Sequence, residues 1–358
     1  MQERHPPISA LNVKPERTAE RTDFYHRLNQ KGIAPLWESL ADLVPLQPRP
    51  SAVPMHWSYE DIRPLLIEAG SVITAKQAER RVLMLENPGI AGGCLISDSL
   101  YAGLQLVLPG EIARTHRHSA SALRFIIEGR GAYTSVEGER AYMRPGDFIL
   151  TPSWTYHDHG NPSDEPIVWL DGLDVPIVNL LNTSFAEPHS QEIQPLVRRE
   201  TDSLKRYGSN MAPLEYRSEK LAAPLFAYPY DRSRETLEWL SRNDPLDECH
   251  GFKMQYINPA TGGYPMPTIA AFLQLLPAGF RGSKYRSTDA TIFSVAEGRG
   301  CSHIGNRSFC WKEHDIFVVP SWYPVSHESE TDSVLFSFSD RPLQKILGLW
   351  REEALMTR

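Results

Sequence analysis

Long runs of apolar or basic residues are absent from this sequence of 358 residues. No apolar stretch reaches the roughly 20 residues that a membrane-spanning helix needs. The N-terminus, where Glu3, Arg4 and His5 precede two prolines, lacks the apolar core of a secretion signal. No basic cluster is longer than two residues, as in Arg198-Arg199, and the formal net charge is −7, so nothing would neutralise a row of phosphates. The sequence therefore predicts a cytoplasmic protein with no membrane or nucleic-acid partner.

Cysteine is scarce, and its spacing indicates no metal or redox motif. The four cysteines, Cys94, Cys249, Cys301 and Cys310, form no CxxC pair. In a long chain without a secretion signal, we expect these residues to be free thiols. Several catalytic signatures are also missing from the sequence, namely the GxSxG elbow, the P-loop and the GxGxxG fingerprint.

Proline, by contrast, is abundant, with 29 residues against 23 glycines. Because proline cannot donate to a sheet ladder, this composition favours many turns and short strands. Over residues 18–44, apolar residues recur at three- and four-residue intervals, which predicts helix, with Gly32 and Pro35 dividing it into two. A further helix is expected over residues 59–69. From Arg81 onward, short apolar runs between Gly and Pro are typical of antiparallel sheets.

An internal repeat is the most informative feature of the chain. The first copy carries LPG at 108–110, EGRG at 128–131 and GDFILTPSW at 146–154. The second copy carries LPAG at 276–279, EGRG at 297–300 and HDIFVVPSW at 314–322. The period of about 168 residues is far longer than that of a solenoid, so it predicts a duplicated domain.

Two histidine pairs lie within the first copy. On a strand, His116 and His118 would leave the same face, about 6–7 Å apart along the backbone. His157, with His159 two residues beyond it, would supply a third imidazole from a neighbouring strand. A lone HxH pair is more often solvated or structural, but imidazole is the commonest ligand for Zn, Cu, Fe and Ni. We therefore predict a metal site at His116, His118 and His157, with His159 as the alternative third ligand.

The second copy lacks these ligands. Lys284-Tyr285-Arg286 falls where the first copy has His116-Arg117-His118, and Val325 falls opposite His157. His327, opposite His159, is the one histidine that remains. We therefore expect the second copy to be metal-free and structural.

The histidines and glycines of the first copy resemble the two motifs of the cupin superfamily. The matching positions are Gly110, His116, His118 and Gly131 for the first motif, and Gly146, Pro152, His157 and Asn161 for the second. Arg124 occupies the position usually held by a glutamate ligand, and Trp154 replaces a usual glycine. An arginine cannot ligate a cation, so the site resembles the three-histidine branch of the superfamily.

Within that branch, residues 25–345 resemble the gentisate 1,2-dioxygenase family. The stretches that carry the resemblance are ERR at 79–81, ENPG at 86–89, HRHS at 116–119, WLDGLD at 169–174 and NPATGG at 258–263. The resemblance implies an all-β dominated bicupin, with two double-stranded β-helix (jelly-roll) barrels after an N-terminal helical region. The expected divisions are an arm with helices over 1–80, a catalytic cupin over 81–180, a linker with some helix over 181–250, a metal-free cupin over 251–345 and a tail over 346–358.

The resemblance also implies an activity. One Fe(II) per subunit, held by His116, His118 and His157, would support cleavage of gentisate by O₂ to maleylpyruvate in aromatic catabolism, in a homotetramer. Ligand type alone does not fix the metal, because three histidines also hold zinc. The alternatives are salicylate or 1-hydroxy-2-naphthoate cleavage, a non-catalytic bicupin that binds or senses a small molecule, and a zinc-dependent isomerase or hydrolase.

Two arginines are candidates for binding the substrate carboxylate. Arg124 and Arg80 offer the planar guanidinium fork that matches a carboxylate. The resemblance alone supports Arg80, and Arg81 is its alternative. The alternative for both is the ordinary role of an arginine, which is to lie on the surface or in an ion pair.

Four further residues complete the predicted site. His159 is expected to act as an acid or base near the substrate hydroxyl. Asp171 is expected to orient a ligand or substrate histidine, with a simple loop carboxylate as the alternative. Tyr101 and Gln105, on one face of a predicted strand, are expected to line the pocket unless they are ordinary strand residues.

Overall fold

The structure is a computed structural model that describes residues 18–90, 92–209, 211–214 and 221–355. It divides into two compact units at Arg49 and Pro50. In the first unit, the predicted pair of helices forms as α1 (Ala19–Gln30) and α2 (Leu36–Leu43). The Thr18 side chain caps α1 by accepting from the Arg21 amide (3.2 Å).

The second unit contains six helices and 22 strands among its described residues. The helices are α3 (Tyr59–Val72), α4 (Ala75–Ala78), α5 (Val175–Leu180), α6 (Asp202–Tyr207), α7 (Tyr230–Asn243) and α8 (Arg341–Ile346). The strands up to the end of the first barrel are β1 (Met55–Trp57), β2 (Val82–Met84), β3 (Tyr101–Val107), β4 (Ile112–His118), β5 (Ala122–Glu128), β6 (Tyr133–Val136), β7 (Glu139–Tyr142), β8 (Phe148–Thr151), β9 (His157–Gly160), β10 (Ile167–Leu173), β11 (Ala186–Pro188) and β12 (Ala227–Tyr228). The strands that follow are β13 (Phe252–Gln255), β14 (Ala270–Leu276), β15 (Lys284–Ser287), β16 (Thr291–Glu297), β17 (Arg299–Ile304), β18 (Arg307–Lys312), β19 (Ile316–Val319), β20 (Val325–Ser329), β21 (Ser333–Ser339) and β22 (Glu352–Leu355).

The strands form four antiparallel sheets, two for each barrel. The first barrel combines the orders β12-β8-β5-β10-β3-β2 and β11-β4-β9-β6-β7. The second combines β1-β19-β16-β21-β14-β13 and β18-β17-β20-β15-β22. This arrangement confirms the predicted bicupin with two jelly-roll barrels.

Short strands from outside the predicted cupin segments complete the sheets. Within residues 181–250, expected to be a linker, β11 pairs with β4 and β12 pairs with β8. From the predicted N-terminal region, β1 pairs with β19, and from the predicted tail, β22 pairs with β15. Strands of two to four residues carry too little alternation to stand out from loop sequence.

Aromatic side chains join the two barrels through their six-stranded sheets. The rings of Phe125 on β5 and Phe336 on β21 stack with centroids 4.2 Å apart, and Phe148 on β8 lies 5.7 Å from Phe336. Gly172 on β10 lets Phe338 on β21 pack equally closely, because a Cβ at Gly172 would lie 2.6 Å from the Phe338 ring. The barrels therefore share one hydrophobic core.

Cys301 and Cys310 form a disulfide, so the prediction of free thiols is wrong for this pair. They face each other across the β17–β18 hairpin, whose register places them opposite with Cα atoms 4.0 Å apart. Cys94 and Cys249 are free. Among the described residues, no helix combines the length and apolarity that crossing a bilayer requires.

Candidate active site

Two neighbouring strands of the first barrel bring three histidines together. His116 and His118 leave the same face of β4, and His157 on the adjacent β9 stands directly opposite His116. The ring centroids lie 4.2 Å (His116–His157), 4.9 Å (His118–His157) and 5.3 Å (His116–His118) apart. One nitrogen from each ring can be chosen so that all three lie within 4.8 Å of one another. Alternation on one strand and cross-strand pairing thus build the predicted cluster.

Main-chain carbonyls orient all three rings. Each Nδ1 lies near a carbonyl oxygen two residues away, at 3.2 Å for His116, 2.7 Å for His118 and 3.0 Å for His157. An imidazole that donates from Nδ1 keeps the lone pair of Nε2 for a metal. Burial and nearby positive groups lower the pKa of His116 to about 3 and also lower those of the other two, so the rings are neutral at neutral pH. The residues present therefore fit a divalent metal ion.

His159 lies beside this cluster rather than within it. Its ring centroid is 5.7 Å from that of His157, and its Nδ1 lies 2.9 Å from the Thr134 hydroxyl. Its buried Nε2 has no hydrogen-bond partner among the described residues. The structure thus groups His157 with the other two ligands and leaves one nitrogen of His159 free beside them.

Arg124 and Asp171 form a buried pair in the barrel interior. They stand opposite each other on β5 and β10, with Arg124 Nε 3.5 Å from Asp171 Oδ1. Arg124 Nη1 also donates to the Thr151 hydroxyl (2.6 Å). Burial raises the pKa of Asp171 to about 6, while the charge of Arg124 opposes that rise. In this structure, Asp171 pairs with Arg124 rather than with a histidine, so a role in orienting an imidazole stays a prediction.

Arg80, and not Arg81, lies at the histidine cluster. Its guanidinium contacts the His116 ring and donates to the Arg114 carbonyl (2.7 Å). Arg81 is buried in a two-pronged ion pair with Glu111, at 2.6 and 2.7 Å. Burial, and next the charge of Arg124, lower the pKa of Arg80 to about 10. Arg80 remains a cation at neutral pH.

Tyr101 and Gln105 share the interior face of β3. Cross-strand pairing places Gly103 opposite Asp171 and Gln105 opposite Trp169. The Tyr101 hydroxyl lies over Gly103, 2.9 Å from where a Cβ of that residue would stand. All of these side chains therefore belong to one wall of the interior.

Sequence analysis missed three residues of this interior. Trp169, fully buried, has its ring 5.3 Å from that of His159. Thr134 and Thr151 hold His159 and Arg124 respectively. Trp169 was predictable, since it alternates with Asp171 on one strand. The threonines depend on register across strands, which the sequence alone does not give.

A cleft of about 760 Å³ leads to the cluster at His116. Its lining includes Lys76, Arg80 and Arg114, with Glu79 among the acidic groups. Small-molecule sites commonly measure 300–1,000 Å³. The cleft is therefore large enough for a single aromatic ring and its substituents.

Known proteins resemble both the sequence and this geometry. Residues 103–174 match the cupin domain. Over 343 residues, the chain is 56% identical to gentisate 1,2 dioxygenase 1 of Aquipseudomonas alcaligenes, covering 96% of this chain and 99% of that protein. This chain belongs to the gentisate 1,2-dioxygenase family. The expected family is thereby confirmed.

Other members of the gentisate 1,2-dioxygenase family extend the similarity. A 5-aminosalicylate 1,2-dioxygenase of Comamonas sp. is 34% identical, covering 92% of this chain and 89% of that one. The crystal structure of salicylate 1,2-dioxygenase from Pseudoaminobacter salicylatoxidans, an adduct with gentisate, matches with a TM-score of 0.91 at 33% identity, covering 97% of each chain. Members of this family are ring-cleaving dioxygenases, and their substrates differ.

In this member of the gentisate 1,2-dioxygenase family, the strand pairing of the second barrel corrects the match between the two copies of the repeat. The residues that correspond to His116 and His118 lie one position later than the sequence repeat predicted. Tyr285 stands opposite Val325 just as His116 stands opposite His157. The guanidinium of Arg286 covers the Trp322 ring at 4.4 Å, as Arg117 covers Trp154 at 4.5 Å. Tyr285 and Ser287 therefore occupy the places of His116 and His118, and Lys284 is exposed. The alignment of Lys284 with His116 was wrong because the period shifts by one residue within the repeat.

Proposed function

We propose that this protein is a gentisate 1,2-dioxygenase that uses Fe(II) and O₂ to open the ring of gentisate to maleylpyruvate in aromatic catabolism. The observation that carries the proposal is a carboxylate-free cluster of three histidines with two arginines beside it. Three neutral ligands leave the charge of a metal uncancelled, and the arginines add positive charge. An anionic hydroxy acid is the substrate that such a site favours.

One Fe(II) per subunit would be held by His116, His118 and His157. When bound, Fe(II) supplies the open coordination positions and the electron transfer between substrate and O₂ that ring cleavage requires. In His118 and His157, Nδ1 lies beside a main-chain carbonyl, which leaves Nε2 for the ion, whereas Nδ1 of His116 meets both the Arg114 carbonyl and the Arg80 guanidinium. The rings of His118 and His157 therefore need little reorientation to bind the ion.

The two arginines position the carboxylate of the substrate. Arg124 is buried, and its Nε makes no hydrogen bond to a described residue, so the guanidinium keeps a donor for a ligand. Thr151 holds Nη1, and the Asp171 carboxylate lies beside the same guanidinium as its ion-pair partner. Arg80 provides a second cation beside His116. Two preoriented guanidinium groups fix both the position and the rotation of a planar aromatic acid.

His159 moves the proton of a substrate hydroxyl. Burial lowers its pKa well below the ordinary value, so the ring is neutral and can accept a proton. Thr134 holds Nδ1, and the unpartnered Nε2 is the nitrogen that meets the substrate. Tyr101 and Gln105 line the wall beside Asp171 and exclude water from the ring.

Two further features belong to this proposal. We assign the protein to the cytoplasm, where aromatic compounds are broken down, and we assign it a homotetrameric state. Sedimentation of the purified chain tests the second assignment: four chains per particle is the expected mass.

Turnover of competing substrates tests the proposed activity. Iron-loaded protein should consume O₂ with gentisate at least about tenfold faster than with salicylate or 1-hydroxy-2-naphthoate, because the second ring hydroxyl makes gentisate easier to oxidise; tenfold corresponds to about 1.4 kcal/mol in barrier height. Equal rates would mean that the enzyme acts on aromatic hydroxy acids in general and does not prefer gentisate. Absence of turnover with all three, in protein that holds iron, would favour a non-catalytic bicupin. Activity that requires zinc would favour an isomerase or hydrolase.

A further inference from the structure

Polar side chains interrupt the apolar core of the second barrel at the place where the first barrel has its histidines. Tyr285 replaces His116, and His327 is retained at the position of His159. The His250 ring lies 4.3 Å from Tyr285, and Tyr285 lies 6.4 Å from His327, centroid to centroid. A barrel with a purely structural role would be expected to fill this place with apolar side chains.

Lys253, a partly buried residue of β13, places a cation in this interior without a direct ion pair of its own. Its ammonium lies 4.9 Å from the centre of the Phe272 ring and 5.7 Å from that of Phe293, and no hydrogen bond or ion pair connects it to a described residue. The carboxylates nearby are held by Arg341, which pairs with Asp289 (3.0 Å) and with Glu352 (3.4 Å). Burial, and next the charge of Arg341, lower the pKa of Lys253 to about 8, yet it remains mostly protonated at neutral pH. Aromatic faces offset only part of the cost of a desolvated ammonium.

His327 offers an unused donor to the same interior. The Trp311 indole can only donate, and it donates to the Ser302 hydroxyl (2.9 Å). That hydroxyl lies 2.8 Å from His327 Nδ1 and can donate to it, which leaves the proton of the neutral ring on Nε2. His327 is fully buried, and its Nε2 has no partner among the described residues.

Two more buried polar atoms face this interior without partners. Ser337 stands between Phe272 and Phe293 across the central strands, and its hydroxyl is unpaired among the described residues. Gln274 donates to the His250 carbonyl (2.7 Å), but its own carbonyl oxygen is unpaired. Because buried polar groups are nearly always paired, such a concentration indicates a ligand.

We propose that the interior of the second barrel binds a small organic carboxylate, held by the Lys253 ammonium and the Nε2–H of His327. The carboxylate would give Lys253 the direct ion pair that it lacks and would accept from both unpaired donors. Flanking phenyl rings shield the pair from water, which strengthens a charge-assisted hydrogen bond. This site is separate from the proposed ring-cleaving centre and does not depend on that activity.

Equilibrium dialysis of radiolabelled acetate against the iron-loaded full chain tests the proposal. We expect a saturable acetate site that persists in Arg124→Met, in which the first barrel has lost the guanidinium proposed to hold the substrate carboxylate. Lys253→Met removes the charge while keeping similar volume, and it should weaken this binding at least about tenfold, the effect of losing one charge-assisted hydrogen bond. Lys253→Arg should retain binding, and circular dichroism would show that each variant is folded.

Three outcomes would overturn the proposal. The first is absence of saturable acetate binding in the unaltered protein, which would leave water as the partner of these groups. The second is binding that disappears in Arg124→Met, which would place acetate in the first barrel. The third is a folded Lys253→Met that binds acetate as tightly as the unaltered chain.

Discussion

At the scale of residues, the charges inside the first barrel decide what it can recognise. Arg124 stands where the resemblance leads one to expect a glutamate ligand, and it is only 3% exposed. Its charge is partly balanced by Asp171, whose own pKa is raised by burial. With three neutral imidazoles and Arg80 nearby, the interior carries positive charge that a substrate anion would neutralise.

Arg124→Lys should lower kcat/KM for gentisate about 100-fold, because a lysine cannot keep the bonds to Asp171 and Thr151 while presenting a fork to the substrate. Iron content should be unchanged, since Arg124 is not a ligand. The exposed Arg114→Lys at the mouth of the cleft is the control and should change kcat/KM by less than about threefold. A fully active Arg124→Lys would remove this residue from the substrate site.

Protonation of Asp171 should lower kcat/KM at low pH, which would appear as an acid limb in the pH profile. Its pKa is raised from 3.8 to about 6, so below pH 6 it becomes neutral and no longer holds Arg124. We expect kcat/KM to fall about tenfold per pH unit below that point, and Asp171→Asn to be weakly active without this limb.

The same shift affects stability with a defined sign. The folded state binds this proton more tightly than the unfolded chain, so the contribution of Asp171 to stability is complete below about pH 4 and is lost as the pH rises through 6. For the activity, the test is Asp171→Asn. If kcat/KM of this variant falls at low pH just as it does in the unaltered chain, the fall is due to another group.

At the scale of elements, alternation and spacing predicted the helices and the ligand-bearing strands. They did not predict the short strands that complete the sheets. The pairs at 116–118 and 157–159 lie on adjacent strands as expected. The strands β11 and β12 were missed because they are too short to show a period. The Cys301–Cys310 bond follows from hairpin register, which residue spacing alone does not reveal.

The turn before β9 has a backbone conformation that suits the glycine expected from the cupin resemblance, where this chain has Trp154. Trp154 has a φ of 59°, in the left-handed region that glycine adopts freely, and the stacked Arg117 guanidinium offsets the strain. Thermal unfolding should show Trp154→Gly to be about 1 kcal/mol more stable than Trp154→Ala, although glycine is the smaller residue. A more stable alanine variant would mean that this turn does not need glycine-like freedom.

At the scale of the whole molecule, the two barrels depend on each other for burial. Their six-stranded sheets share the core that contains Phe125, Phe148 and Phe336. Separating the barrels would expose these rings to water. Sequence analysis predicted two cupins with a linker, whereas the joint core depends on side chains that face away from the barrel interiors, and one sequence does not show which faces meet.

Phe336→Ala should therefore destabilise both barrels together. Removing a fully buried phenylalanine costs about 3–5 kcal/mol, and the shared core should keep unfolding in a single transition, measured by denaturant titration with fluorescence and circular dichroism. Phe185→Ala, at a side chain that is 67% exposed, is the matched control and should cost under about 1 kcal/mol. Two separate transitions in the unaltered chain would show that the barrels are independent.

Iron binding and O₂ uptake by His116→Ala test the central claim most directly. Metal-free protein would be given ferrous iron without oxygen, and gentisate and air would then be admitted. The unaltered chain should hold one iron and consume one O₂ per gentisate, while His116→Ala should hold far less iron and consume none. A variant that retains both iron and O₂ uptake would contradict the assignment of the three-histidine cluster as the catalytic iron site.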